Sequence, residues 1–305
     1  MTPFDLYVGV DWSGARGPAL PGLRVAVCPP GSRAPRLLAN PAGGAWTRSA
    51  FVTWLAKLTR TRRVLCGLDF AFGLPFADEG AYLPGLEPTP RGMAGLWSLV
   101  DRVCAADHNF YAGRFVVDPP YGDYFLGPGR RRGACYDRWP GRLRLIDRVC
   151  GDSRRYGRPE SVFKAVGAKQ VALGSLAGMR VLHWLRGAAP RVGIWPLQSP
   201  RAGRSHLIEI YPAAFLGQVG YRARKIRDLA TLNDVIAAFQ SRPVRDDSLD
   251  GPARDVDDKT DALVAAAAIR ALAGERDCWR PPGWTMAARR REGWIFGVSE
   301  GTRAR

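Results

Sequence analysis

Acidic side chains occur in four separated segments of the chain, each time in an apolar setting. Asp11 follows the apolar run Leu6–Val10, and Asp69 follows the similar run Val64–Leu68. Both runs are short and rich in β-branched and other apolar residues, which predicts buried strands that end in a carboxylate. A buried carboxylate is costly unless a positive charge pairs with it, and a bound cation would be such a partner. The alternative is that Asp11 only caps the following turn through backbone amides.

Glu209 lies between two isoleucines in the segment His206–Tyr211, which predicts another strand. Both faces of that strand are apolar around Glu209, so an unpaired charge there would be unfavourable. Glu209 either binds the same cation or pairs with one of the many arginines.

Asp258 and Asp261 are three residues apart near the start of a helix predicted over 257–273. They therefore share one face, and apolar residues continue that face toward the core. Alternatively, Asp257 or Asp258 is the N-cap and Asp261 is favoured by the helix dipole.

One cause would explain all of these acids. Clustered carboxylates repel one another unless positive charge lies among them. Ligands that offer only oxygen select hard cations such as Mg²⁺ or Mn²⁺. The spacing therefore predicts a divalent-metal site built from segments that are far apart in the chain.

The remaining pattern predicts a mixed α/β fold. Two short strands, Leu23–Cys28 and Arg36–Ala39, should form an antiparallel meander with the first strand. Apolar periodicity predicts helices over 49–59, 93–105, 170–185 and 231–239, and the last helix over 257–273. Short strands are predicted over Val192–Trp195 and Gly293–Val298.

Several motifs resemble those of a bacterial family of predicted RNase H-like nucleases. They are Val8–Gly14 (VGVDWSG), Gly67–Pro75 (GLDFAFGLP), Ile208–Ala213 (IEIYPA), Asp258–Leu263 (DKTDAL) and Gly293–Gly297 (GWIFG), in that order along the chain. The resemblance extends over nearly the whole chain and is weakest in its middle.

The resemblance implies an RNase H-like mixed sheet, an antiparallel meander plus parallel strands, flanked by helices. It implies a single domain over residues 1–305, within which the segment 76–165, rich in Pro, Gly, Arg and aromatic residues, is predicted from its composition to be an insertion. It also implies a hydrolase in which Asp11, Asp69, Glu209, Asp258 and Asp261 are catalytic. Asp11 would bridge two Mg²⁺ or Mn²⁺ ions, Asp69 and Glu209 would hold one ion, and Asp258 or Asp261 the other.

The composition is compatible with a nucleic-acid partner. The formal net charge is +17, which suits a polyanion, although the excess is nearly all arginine and is equally explained by codon bias. Within the insertion, Arg130, Arg131, Arg132 and Tyr136 combine cations with an aromatic ring, as single-strand binding sites do. A solvated arginine-rich loop is the alternative.

Two other functions remain open on the sequence. The turn after Asp11 has a hydroxyl and glycine amides that suit a phosphate, as in actin-like ATPases and sugar kinases, but no second glycine-rich turn of this kind follows. The chain could also bind nucleic acid without cleaving it. Scattered cysteines, the absence of a signal segment and the absence of a membrane-length apolar run predict a cytoplasmic protein with no membrane partner, and its oligomeric state stays open.

Overall fold

The computed structural model describes residues 4–138, 142–153, 155–167, 170–221, 225–245 and 249–299. Within these ranges the strands are β1 (Leu6–Asp11), β2 (Arg24–Cys28), β3 (Arg36–Leu37), β4 (Val64–Leu68), β5 (Gly193–Ile194) and β6 (His206–Glu209). They form one six-stranded sheet in the order β3-β2-β1-β4-β6-β5. The pairs β1–β2 and β2–β3 are antiparallel, whereas β1–β4, β4–β6 and β5–β6 are parallel. The predicted meander followed by parallel strands is therefore confirmed.

Helices cover both faces of the sheet. In chain order they are α1 (Arg48–Thr61), α2 (Met93–Val103), α3 (Gly113–Val117), α4 (Ala134–Arg138), α5 (Leu145–Asp152), α6 (Ala172–Ala188), α7 (Pro212–Gln218), α8 (Leu229–Ala238), α9 (Ala253–Leu272) and α10 (Arg276–Trp279). The apolar side chains form two clusters. One contains Val8 and Val10 with residues of α1, α2 and α6, and the other contains Tyr7 with the buried residues of α9.

α9 lies directly against β1 because β1 carries a glycine at the crossing. A Cβ atom at Gly9 would come within 2.5 Å of the Ala262 carbonyl oxygen and the Ala266 amide nitrogen. The alanine-rich stretch of α9 and Gly9 thus bring two backbones together without intervening side chains. This close approach positions the acids of α9 relative to those of the sheet.

α9 begins earlier than the sequence predicts. Its N-cap is Pro252, so Asp257 and Asp258 lie in the second turn and neither is an N-cap. The N-cap explanation for these two acids is therefore wrong.

The strand predicted over Gly293–Val298 is also wrong. The segment makes a single bridge, between Ile295 and Glu209, and the Phe296 amide donates to the Glu209 carbonyl at 2.9 Å. Gly293 and Gly297 have φ angles of 86° and 82°, which interrupt an extended backbone on both sides of the bridge.

Residues 76–165, predicted as an insertion, contain α2 to α5 among their described residues. Buried rings of this segment, including Trp97, Phe115 and Phe125, belong to the same apolar cluster as Val8 and Val10 of β1. The segment is thus packed onto the sheet through a shared core. No helix in the described part of the chain is long and apolar enough to cross a membrane.

Candidate active site

Asp11 and Asp69 come together because they end neighbouring parallel strands. The register pairs Val10 with Leu68, and the Asp69 amide donates to the Val10 carbonyl at 3.1 Å. The aspartates therefore extend the same ladder by one residue at the carboxyl edge of the sheet. In open α/β sheets this edge is where ligands bind.

α9 brings Asp258 and Asp261 to the same place. Asp11 lies two residues after Gly9, so its side chain points to the face that α9 covers. Asp261 immediately precedes Ala262, whose carbonyl lies over Gly9. The charges of Asp261, Asp69 and Asp258 all act on the Asp11 carboxyl group. Three separate segments thus converge on one acidic cluster, defined here as Asp11, Asp69, Asp258 and Asp261.

The acidic cluster has unusual protonation equilibria. Burial, followed by the charges of Asp261 and Asp69, raises the pKa of Asp11 well above its ordinary value. Burial and the Asp261 charge do the same to the pKa of Asp69. Burial raises the pKa of Asp258 to about 6, although Arg254 and Arg24 oppose the shift. Burial is thus the largest cause of each shift, and the charges of neighbouring acids add to it.

The turn after β1 does not depend on Asp11 for its hydrogen bonds. The buried Arg48 side chain donates to the carbonyl oxygens of Ser13 and Ala15, at 2.6 and 2.8 Å from Nη2. No donor among the described residues forms a hydrogen bond with the Asp11 carboxylate. The explanation of Asp11 as a turn cap is therefore wrong, and its oxygens are available for another partner.

Lys225 supplies positive charge to the acidic cluster. Its Nζ donates to Oδ2 of Asp261 at 2.9 Å, and 41% of the lysine side chain is exposed. Burial alone would lower the pKa of Lys225, but the charges of Asp261, Asp257 and Asp11 raise it. Sequence reasoning missed this residue, since a lysine far from every motif gives no signal of its neighbours.

The other acids of α9 each have their own basic partner. Asp255 pairs with Arg24 and, at 2.9 Å, with Lys259. Asp257 lies 2.6 Å from Arg227, an ion pair without hydrogen-bond geometry. These acids are ordinary ion-pair partners, whereas Asp258 and Asp261 face the sheet acids.

Glu209 does not join the acidic cluster. The register pairs it with Leu68, so its side chain lies in the row of Val10 and Leu68, on the face opposite to Asp11. Arg144 donates to both of its carboxylate oxygens, at 2.6 and 2.9 Å, and the Phe72 amide donates to Oε2 at 2.9 Å. Of the two alternatives for Glu209, the structure shows the pairing with an arginine. Both oxygens of its carboxylate accept hydrogen bonds, so neither is free to bind a metal.

Arg144 is the centre of this buried network. It also bonds to Asp147 through Nη2 and Nε, at 2.8 and 3.0 Å, and to the Glu292 carbonyl at 3.2 Å. The Glu292 carboxylate in turn accepts from the Phe76 amide at 2.6 Å. The network joins α5, β6 and the C-terminal segment and has a structural role. A run of arginines in the sequence does not reveal which one is buried.

The cluster offers only carboxylate oxygens, the donors that hard divalent cations prefer. Within the described ranges, however, no group of three or more His, Cys, Asp or Glu side chains is arranged as a ready metal site. The ammonium of Lys225 already donates to one of these oxygens, Oδ2 of Asp261. The donor chemistry therefore fits Mg²⁺ or Mn²⁺.

The predicted nucleic-acid-binding residues have mixed positions. Arg130, Arg131 and Arg132 are exposed, but Arg131 donates to the Gly122 carbonyl at 3.3 Å, and Arg132 pairs with Asp137 at 3.1 Å. Tyr136 is buried beneath Arg132 and reaches the cleft described next. Arg131 and Arg132 are therefore both bonded to residues of the segment 76–165 in which they lie.

A cleft of about 1370 Å³ opens beside the acidic cluster. Asp69, Asp261 and Lys225 line it. Apart from the buried Arg144, three further cations, which sequence reasoning missed, also line it: Arg155, Arg158 and Lys164. Aromatic side chains in its wall are Trp12, Phe70, Tyr136, Tyr211 and Tyr221. The cleft thus combines carboxylates, dispersed cations and rings.

Compared with protein-family models, with curated proteins and with solved structures, the chain has no match.

Proposed function

We propose that this protein is a metal-dependent nuclease of the RNase H-like type, which hydrolyses phosphodiester bonds of nucleic acid. The observation that carries the proposal is the acidic cluster. Three distant segments bring Asp11, Asp69, Asp258 and Asp261 to the carboxyl edge of the sheet, where burial and neighbouring negative charges raise their pKa values. Perturbed acids at the wall of a cleft are typical of functional sites.

Asp11, Asp69 and Asp261 would hold Mg²⁺ or Mn²⁺, with Asp258 at the margin of the site. A bound ion would supply Lewis acidity at the phosphate and a water of lowered pKa. Hydrolysis joins the water oxygen to phosphorus, breaks the bond to the leaving nucleoside oxygen and returns a proton to that oxygen. No side-chain nucleophile is required, so the acids need only hold and orient. Glu209 has no direct part in this scheme, because Arg144 and the Phe72 amide occupy its oxygens.

The cleft suits a nucleic-acid strand. Arg155 and Arg158 could contact phosphates, since cations supply most of the affinity for nucleic acid. Tyr136 and Tyr211 offer rings on which bases can stack. These residues replace Arg131 and Arg132 as the best candidates for strand contacts, because the latter have partners within their own segment.

The sheet supports the RNase H-like assignment. An antiparallel meander continues into parallel strands, and the acids lie on the first strand, on the strand after the first helix and on a late helix. The motifs quoted above occur at these same points.

The direct test compares Asp11→Asn with wild type on single-stranded, duplex and RNA–DNA hybrid substrates, with Mg²⁺ or Mn²⁺. We expect cleavage by wild type and at least a hundredfold lower rate for the variant. Asp255→Asn is the matched control, since Asp255 lies on α9 but pairs with Arg24 and Lys259. Equal cleavage by Asp11→Asn and wild type would remove Asp11 from catalysis.

A second candidate function is binding of nucleic acid without turnover. It is favoured by the cleft, whose cations and aromatic rings suit a nucleic-acid strand whether or not the strand is cleaved. Strong, salt-sensitive binding with no cleavage at any Mn²⁺ concentration would support it over the nuclease.

A further inference from the structure

We propose that Lys225 supplies one of the two positive charges of this site, so that the acidic cluster takes a single divalent cation. The inference rests on the proposed nuclease function and refines it. In place of two bridged ions, the site would hold one ion among the acids, with the Lys225 ammonium beside it.

The first argument is the place that Lys225 occupies. Its Nζ lies 2.9 Å from Oδ2 of Asp261, and its charge acts on Asp11, Asp69 and Asp258 as well. It also lines the cleft. An ammonium that reaches one acid directly and acts on three others performs the electrostatic task usually assigned to a second ion.

The second argument is the number of ligands. A two-ion site needs carboxylates for both ions, and the sequence suggested Asp69 and Glu209 for one of them. Glu209 lies on the opposite face and is bonded to Arg144. Lys225 occupies one oxygen of Asp261. The remaining oxygens suit one ion, since Mg²⁺ is usually held by one or two carboxylates and several waters.

The third argument is the contrast with neighbouring cations. Lys259 pairs with Asp255 and Arg227 with Asp257, and those ion pairs leave the sheet acids untouched. Lys225, in contrast, donates a hydrogen bond to Asp261 of the acidic cluster. Its side chain is 41% exposed and lines the cleft, so a substrate phosphate can reach it.

The experiment counts bound Mn²⁺ by isothermal titration calorimetry and measures cleavage in parallel. Four proteins are compared: wild type, Lys225→Met, Lys225→Arg and Lys164→Met. Lys164 lines the same cleft but pairs with Glu160, so its variant is the matched control for loss of a cleft lysine. Thermal unfolding establishes that each variant is folded.

We expect one Mn²⁺ per chain for wild type, Lys225→Arg and Lys164→Met. Lys225→Met should bind Mn²⁺ about tenfold more tightly or take a second ion, because a competing charge has been removed. Its cleavage rate at a Mn²⁺ concentration that saturates wild type should fall at least a hundredfold, the usual effect of losing a preorganised charge at the reacting group.

Two Mn²⁺ ions per wild-type chain, or a Lys225→Met rate within threefold of wild type, would overturn the role of Lys225 and leave the nuclease proposal in place. A wild-type protein that binds no Mn²⁺ and cleaves no substrate would overturn the nuclease proposal itself. The two failures are therefore distinguishable.

Discussion

The contact between β1 and α9 makes Gly9→Ala the most informative single substitution. The added methyl group would meet the Ala262 carbonyl oxygen and the Ala266 amide nitrogen at 2.5 Å, and the Ala265 Cβ at 2.8 Å. Two of these atoms belong to the backbone, which cannot rotate away as a flexible side chain can. Ordinary contact begins at 3.4 Å, so the helix must move away from the strand by about 1 Å.

The cost follows from this displacement. Overpacking of a well-packed core costs about 1–3 kcal/mol, and a clash with two backbone atoms belongs at the upper end. An unfolding entropy of about 2.1 cal/mol/K per residue gives about 1.6 °C per kcal/mol for 305 residues, so the melting temperature should fall by about 5 °C. Urea unfolding should give a lower midpoint with an unchanged slope, since the surface exposed on unfolding is the same.

Gly187→Ala is the control for the loss of a glycine. Gly187 lies in α6 with open space around it, so alanine should leave stability unchanged or raise it by up to about 1 kcal/mol. A Gly9→Ala protein as stable as wild type would refute the argument that this glycine sets the distance between β1 and α9. It would equally weaken the positioning of Asp11 against Asp261.

Two further predictions concern charge. Because the folded pKa of Asp11 is raised, its contribution to stability is complete below pH 3.8 and is lost as the pH rises through the raised value. Without metal, Asp11→Asn should therefore be as stable as wild type near pH 4. At pH 8 it should be more stable than wild type by about 1 kcal/mol or more. Asp255→Asn removes an acid whose pKa is lowered, so it should be less stable than wild type at pH 8. If Asp11→Asn were less stable than wild type at pH 8, the raised pKa of Asp11 in the folded protein would be contradicted. Arg144→Met should cost about 3–5 kcal/mol in chemical unfolding, because it leaves buried carboxylates such as Glu209 unpaired. Arg148→Met, at an exposed pair, should cost at most about 1 kcal/mol, and equal costs for the two arginines would contradict the structural role of Arg144.

Much of the secondary structure was predictable because local pattern decides it. The apolar runs before Asp11 and Asp69 became β1 and β4, and the periodic stretch after Ser49 became α1. The strand prediction for Gly293–Val298 was wrong because Gly293 and Gly297 both have positive φ angles. A run of apolar residues in the sequence does not reveal the sign of φ. The start of α9 was placed too late because Val256 is the one buried apolar side chain of its first turn, which is too little to establish a helical period.

The sequence by itself determined that Asp11 and Asp69 end buried strands and that Asp258 and Asp261 share one face of a helix, because these facts depend on neighbours within a few residues. Tertiary structure alone decided which acids meet. Strand register turned Glu209 to the opposite face, where Arg144 binds it, and the fold brought Lys225 to Asp261 across 36 residues. The physical reason is that side-chain direction has a period of two along a strand, so one step in register exchanges a site residue for a core residue.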